Sequence, residues 1–134
     1  MPIALEIVSP EKLLLSRPVD MAVIPADEGD MGVLEGHAPM IVALRGGAID
    51  LYAGDQIAER LFVSGGFAEI TPERCTVLAT EAIPVAELRR AEGERRLAEA
   101  EAAYAAADVA DPAVENAALA RIQAARAMVE TAEG

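Results

Sequence analysis

The sequence predicts a mainly β N-terminal sandwich over residues 1–84, followed by an antiparallel α-helical hairpin over residues 85–134. Three observations predict it. Up to Pro84, apolar residues alternate with a period of two between closely spaced turn signals. Beyond Pro84, Ala, Glu and Arg dominate, Pro appears once, and the apolar spacing becomes helical. The charge divides at the same place, with 5 Lys+Arg against 13 Asp+Glu before it and 6 against 10 after it.

Taken in order, Ile3, Leu5 and Ile7 share one parity and form a first strand that ends at "SPEK". Val19, Met21 and Val23 make the next inward set, between "SRP" and "DEGD". Ile49 with Leu51, Leu61 with Val63, and Cys75 with Val77 and Ala79 repeat the pattern, separated by "RGG", "AGDQ", "VSGG" and "TPER". Strands broken by turns every 8–12 residues or so are the pattern of a sandwich or barrel. No intervening segment is long enough to hold the helix of a parallel crossover. Gly46-Gly47 and Gly65-Gly66 read as tight turns or bulges that need positive φ, rather than as places where a ligand approaches the backbone.

The helical segments are expected near residues 86–107 and 112–131, since Ala, Glu, Arg and Leu are strong helix formers. "ADVADP" separates them, with Asp111 placed as N-cap and Pro112 at the first helical position. Ala118, Ile122, Ala125 and Val129 follow the stripe of one apolar face. Leu97, Ala100 and Tyr104 make a comparable stripe on the first helix, with Leu88 on the opposite side. The short connector implies an antiparallel pair with arms about 30 Å long. The seams are mostly alanine, and burying a methyl group stabilises far less than the ~1.5–3 kcal/mol of a buried Leu. The hairpin is therefore expected to be held weakly, both to itself and to the sandwich, and to move.

Composition excludes several functions. With 53% apolar residues the chain can bury a core, and with 3% aromatics and no Trp that core is aliphatic. A net charge of −12 argues against nucleic acid and against anionic lipid, both of which are held by Lys and Arg. Cys75, the single cysteine, reads as a small buried hydrophobe. With no signal-peptide h-region at the start, it points to a reducing compartment. No apolar run approaches the ~20 residues that span a bilayer, so no direct membrane insertion is expected.

Motifs for chemistry are scarce. Lys12 is the only lysine and no phosphate-binding loop is present; Ser64 stands in "VSGG" rather than in a nucleophile elbow. One His and one Cys cannot build a zinc site of the His/Cys kind. The one constellation is Asp27, Glu28, Asp30 and Glu35 with His37, whose carboxylates could take a hard cation. It lacks the residue order of a known calcium loop, and on so acidic a chain it reads as a charged turn built for contact. No metal and no cofactor are expected.

At "GDMGVLEGHAPMIVAL" the sequence resembles the glycine-rich His-Ala-Pro loop of the epsilon subunit of F-type ATP synthases, the counterpart of the mitochondrial delta subunit. "LFVSGGFAEITPERCTVLATEA" is similar to that family's second signature, and "LEIVSPEKLLLSRPV" resembles its opening hairpin. The Ala/Glu/Arg-rich region after Pro84 corresponds to its C-terminal part, so the resemblance spans the chain.

The resemblance implies a non-catalytic rotor subunit of the central stalk. The sandwich would dock on the gamma subunit and on the c-ring, coupling proton-driven rotation to the catalytic head during ATP synthesis. Glu28, Asp30, Met31, Glu35 and Gly36 would face the polar c-ring loops, which commonly carry Arg. Gly32, His37, Ala38, Pro39, Gly65 and Gly66 would hold that loop and the neighbouring strands in shape. Glu35 departs from the proline usual before Gly-His. The implied location is peripheral, on the cytoplasmic face of a bacterial plasma membrane or the matrix face of the mitochondrial inner membrane.

In relatives the C-terminal arm can reach the alpha and beta subunits and slow ATP hydrolysis, and in some it folds around a regulatory ATP. "AELRRA" resembles the nucleotide motif through Glu87, Arg90 and Ala91, with Arg126 on the second helix. It departs in having Ala86 for an aliphatic residue and Glu87 for aspartate. Arg121 and Arg126 are five apart, about 140° around a helix, which argues against both holding one phosphate. From Pro112 onward those two arginines face Glu115, Glu130 and Glu133, so weak or absent braking is expected. Arg90 reads as a surface charge paired with Glu94. A free-standing β-sandwich ligand-binding module and a small metal-dependent enzyme are the alternative readings.

Overall fold

Alternation sets the architecture. In the computed structural model, which describes residues 2–108 and 110–132, ten strands precede two helices. They are β1 (Ile3–Val8), β2 (Leu13–Val19), β3 (Met21–Ala26), β4 (Gly29–Val33), β5 (Met40–Leu44), β6 (Gly47–Ala53), β7 (Gln56–Val63), β8 (Gly66–Ile70), β9 (Arg74–Leu78) and β10 (Ala82–Pro84). A 3-10 turn, Val85–Glu87, leads to α1 (Arg90–Ala106) and α2 (Pro112–Thr131).

The strands form one continuous sheet in the order β10-β7-β6-β3-β5-β8-β9-β1-β2, with β4 paired to β3. Every pairing is antiparallel except β1 with β9. The sheet turns its corner at β3, where Ala22 pairs with Leu51 of β6 and Ala26 with Leu44 of β5. It thereby folds over its own inner face and encloses an aliphatic core from Ile3 to Ala79. Ile3, Leu5, Ile7, Ile49, Leu51, Val63 and Val77 are all fully buried, as the period-two reading expects. Cys75 lies among them, and burial pushes its thiol up to about 11, so it stays protonated and inert at neutral pH.

The second inward set differs from expectation. Val19 is buried, but Ala22 and Ile24 occupy the core in place of Met21 and Val23. Asp20, between β2 and β3, breaks the register, so the parity inverts across it.

The glycine pairs also divide. Gly65 and Gly66 have positive φ, 124° and 135°. A β-carbon on Gly66 would sit 1.9 Å from the Leu78 carbonyl oxygen, so the β8–β9 pairing tolerates no side chain there. Gly46 and Gly47 do not have positive φ. At Gly46 the constraint is space: a β-carbon would meet the Ala124 α-carbon at 2.6 Å, because α2 crosses directly over it.

The first helix starts at Arg90, later than expected, because Leu88 and Arg89 are extended. Leu88 leaves the helical path to join Phe62 and Met128 in a second, buried apolar cluster. The other terminus follows the sequence: the Asp111 carboxylate accepts from the Ala113 amide at 3.0 Å, with Pro112 at the first helical position. Ala100, Ile122 and Ala125 are buried, so the interhelical seam is the small-residue contact its composition implies.

The seat of the hairpin on the sandwich is stronger than an alanine seam. Phe62 points away from the sandwich interior yet is wholly buried under Leu88 and Met128. Each such side chain contributes about 1.5–3 kcal/mol on burial. Both carboxamide atoms of Gln123 engage Gly46: the Gly46 amide donates to Oε1 and Nε2 donates to the Gly46 carbonyl, each at 2.8 Å. Arg96 forks onto the two carboxylate oxygens of Glu81 at 2.5 and 3.2 Å. The expectation of a loosely held hairpin is thus corrected by contacts that pair one helical residue each with the sandwich.

The two crowded glycines should fail differently on mutation. Gly66→Ala is expected to lower the urea stability of the whole sandwich by more than about 2 kcal/mol. Gly46→Ala is expected to leave the strands' amide protection intact while raising exchange along α2; equal loss in both regions would contradict this division.

Candidate interaction surfaces

The stretch read as an acidic loop is a β-hairpin. Pro25 pairs with Asp30 and Ala26 with Gly29, leaving Asp27 and Glu28 as the two-residue turn. A two-residue connection between strands of matched register is a hairpin geometry, and Gly29 takes φ 140° to complete it. Gly32 lies inside β4 opposite Val23 and has ordinary φ, so it shapes no turn.

The candidate contact residues separate into two places. Glu28 and Asp30 stand at the turn, Met31 follows in β4, and Glu35 and Gly36 lie beyond its far end. Five residues of strand keep those ends apart by about 17 Å. Asp30 already has a partner, since Arg45 reaches its Oδ1 at 2.5 Å while donating also to the Ala26 carbonyl. The Asp30 side chain remains 64% exposed, so this pair is a surface contact of small energy. Asp27 and Glu28 make no ion pair among the described residues.

At the far end, the Gly36 amide donates to the Pro72 carbonyl at 2.7 Å with φ 85°. The His37 amide donates to the Leu34 carbonyl, and His37 Nδ1 donates to the adjacent Ala38 carbonyl at 2.8 Å. His37 and Ala38 therefore close a turn against the Pro72 turn, ahead of Pro39 and β5. Among the described residues, no three His, Cys, Asp or Glu side chains are grouped as metal ligands.

The nucleotide candidates lie toward one end of the hairpin, where the start of α1 runs against the end of α2 at Gly93 and Val129. Glu87 belongs to the 3-10 turn; Arg90 and Ala91 open α1; Arg126 is exposed on α2. Arg90 pairs with Glu94 at 3.3 Å, as its spacing implies, and Arg121 reaches Glu99 at 3.8 Å. Arg95 and then Arg96 bond the Glu92 carboxylate and hold its pKa down to about 2. These pairs lie on the outer face of the hairpin.

The surface that the motifs did not point to is an apolar sheet face. Register places Ala43 beside Phe67, Phe67 beside Leu78, Leu78 beside Val8, and Val8 beside Leu13. These five positions form a row across β5, β8, β9, β1 and β2, on the side opposite the core. Leu13 is 53% exposed, Phe67 55% and Leu78 50%, and Ile41 on β5 is 71% exposed. Outside the row lie Glu69 and Glu6, the latter paired with Arg74 at 3.3 Å. The signal was present in the alternation: Phe67 and Leu78 occupy outward positions of strands whose inward positions are apolar too.

Comparison with known proteins gives this geometry a family. The profile described as "ATP synthase, Delta/Epsilon chain, beta-sandwich domain" matches residues 2–85. The chain is 67% identical over 129 residues to the ATP synthase epsilon chain of Granulibacter bethesdensis, with 96% of each chain covered. It is 47% identical over 134 residues to that of Gluconacetobacter diazotrophicus, covering 100% of this chain and 95% of the relative. A chain in the Euglena gracilis mitochondrial ATP synthase structure (OSCP/F1/c-ring) superposes with a TM-score of 0.71 at 26% identity, covering 95% of this chain and 79% of that one. In the Tetrahymena thermophila mitochondrial structure (central stalk/c-ring), the TM-score is 0.63 at 12% identity, covering 97% and 96%, a likeness of fold. By profile, by identity along nearly its whole length and by fold, the chain belongs to the ATP synthase delta/epsilon chain family.

Proposed function

We propose that this chain is a rotor subunit of the ATP synthase central stalk that transmits torque and performs no chemistry of its own. Residues 1–84 act as the coupling body and residues 85–134 as an arm seated on it. The observation that carries the reading is the unequal treatment of the sandwich's two outer faces. One is covered by the chain's own hairpin; the other keeps a row of apolar side chains exposed, which a monomer rarely does without a partner. Gamma is the partner assigned to that bare face, because a torque-bearing joint needs large, well-packed apolar contact.

The c-ring contact is assigned to the turn that carries Asp27, Glu28 and Asp30. Its carboxylates complement cationic c-ring loops, and Glu28, which makes no ion pair among the described residues, is the readier partner. An arginine of the c-ring approaching Asp30 would compete with Arg45. Attachment through these partners makes the subunit peripheral, at the cytoplasmic face of the bacterial membrane. No helix among the described residues is long and apolar enough to cross a membrane. The arm would meet the alpha and beta subunits only after leaving its seat, and Arg90, already paired with Glu94, gives regulatory ATP little to bind.

Two measurements test this. Glu28→Lys is expected to lower proton-driven ATP synthesis in membrane vesicles several-fold while leaving gamma binding intact; unchanged coupling would contradict the c-ring assignment. Removing residues 85–134 is expected to change ATP hydrolysis by the assembled head less than about two-fold, and a several-fold rise would show that the arm is a brake.

A further inference from the structure

The acidic turn and the C-terminal arm meet at two consecutive residues, Arg45 and Gly46, between β5 and β6. Arg45 serves the turn. Its guanidinium donates to Asp30 Oδ1 and to the Ala26 carbonyl, each at 2.5 Å, and its amide donates to the Pro25 carbonyl at 2.9 Å. Gly46 serves the arm, since the Gln123 carboxamide holds both its N–H and its C=O at 2.8 Å. Asp30, Arg45, Gly46 and Gln123 line one polar cleft of about 230 Å³, together with Pro25 and Glu130.

We propose, building on the c-ring assignment above, that Arg45 and Gly46 relay the state of the acidic turn to the arm: drawing Asp30 off Arg45 loosens the seat of α2. The relay works through backbone geometry. The N–H that Gln123 accepts belongs to the planar peptide unit joining Arg45 to Gly46. Its direction is set by the Arg45 backbone on one side and, on the other, by a glycine with no side chain to restrain it. Arg45 is pinned at its amide and at its guanidinium, and Asp30 is the carboxylate that holds the guanidinium. At Gly46 α2 has no slack: a β-carbon there would meet the Ala124 α-carbon at 2.6 Å. A turned peptide therefore leaves Gln123 and presses on the helix at once.

The coupling has a definite sign and a small size. Asp30–Arg45 is a surface pair, so its loss is expected to raise the opening of the arm by about two- to five-fold. By reciprocity, a seated arm keeps Arg45 on Asp30 and weakens a cationic ring loop's hold on that carboxylate by the same factor. A lifted arm and a firm ring contact thus favour each other. The Phe62 cluster and the Arg96–Glu81 fork lie off this path, so the relay biases the seat without dissolving it.

Amide exchange in the full-length chain tests this, with the Gly46 amide as reporter because Gln123 Oε1 is its acceptor. Asp30→Ala is expected to speed exchange at Gly46 and along α2 by about two- to five-fold, with β1 and β6 unchanged as the check on folding. Glu28→Ala, at the same turn, is expected to change neither. With Gln123→Ala in place, Asp30→Ala is expected to add nothing along α2. Unchanged Gly46 exchange in Asp30→Ala, or additive effects of the two substitutions, would overturn the relay. Purified c-ring titrated into the wild-type chain is expected to speed Gly46 exchange in the same range, and to leave it unmoved in Arg45→Ala. A ring that binds the wild-type chain without moving Gly46 would also overturn the relay. A ring that does not bind would remove the c-ring assignment, and the free-chain variants would still decide the relay.

Discussion

Much in this molecule depends on the burial of Phe62 from the wrong side of its strand. Its neighbours Leu61 and Val63 face the core with the usual alternation, yet Phe62, pointing outward, is as inaccessible as they are. The C-terminal region accounts for that, because Leu88 and Met128 supply the cover, with Ile83 of β10 beside them. To reach it Leu88 abandons helix, which moves the start of α1, and α2 is drawn down until its backbone meets Gly46. The polar contacts from Gln123 and Arg96 fix the register of a seat that apolar burial makes favourable.

Covering one face of the sandwich assigns work to the other. A sheet closed over an aliphatic core has two outer faces, and here both carry apolar side chains where alternation would put polar ones. The chain satisfies the first internally. The second stays bare, and the chain's charge is arranged around it: an acidic turn at one corner, Glu69 and Glu6 beside the row, and a net charge of −12 that keeps the subunit soluble before assembly.

The sandwich core was legible because period-two alternation reports which side of a strand is buried, and Ile3 to Ile7, Ile49 to Leu51 and Cys75 to Ala79 follow it without interruption. It misled at Met21 and Val23, since one residue between strands, Asp20, inverts the parity and no local signal announces that. The cap at Asp111 was legible because capping is local chemistry; the late start of α1 was not, because Leu88 answers to a partner some 26 positions away in Phe62. Of the candidate contact residues, the acidic turn was visible as composition, but the split of Glu28 from Glu35 along β4 emerges only once strand pairing is known. Alternation names each outward apolar residue singly; register alone joins Leu13, Val8, Leu78, Phe67 and Ala43 into a surface.

The claim on which the account rests is that a stalk neighbour covers the sheet face around Phe67 while the chain's own hairpin covers Phe62. Hydroxyl-radical footprinting of the isolated chain and of the intact synthase reads both side chains in one experiment. The account requires Phe67, Leu78 and Leu13 to react in the free chain and to be protected in the synthase, with Phe62 protected in both. Equal oxidation of Phe67 in the two states would contradict it.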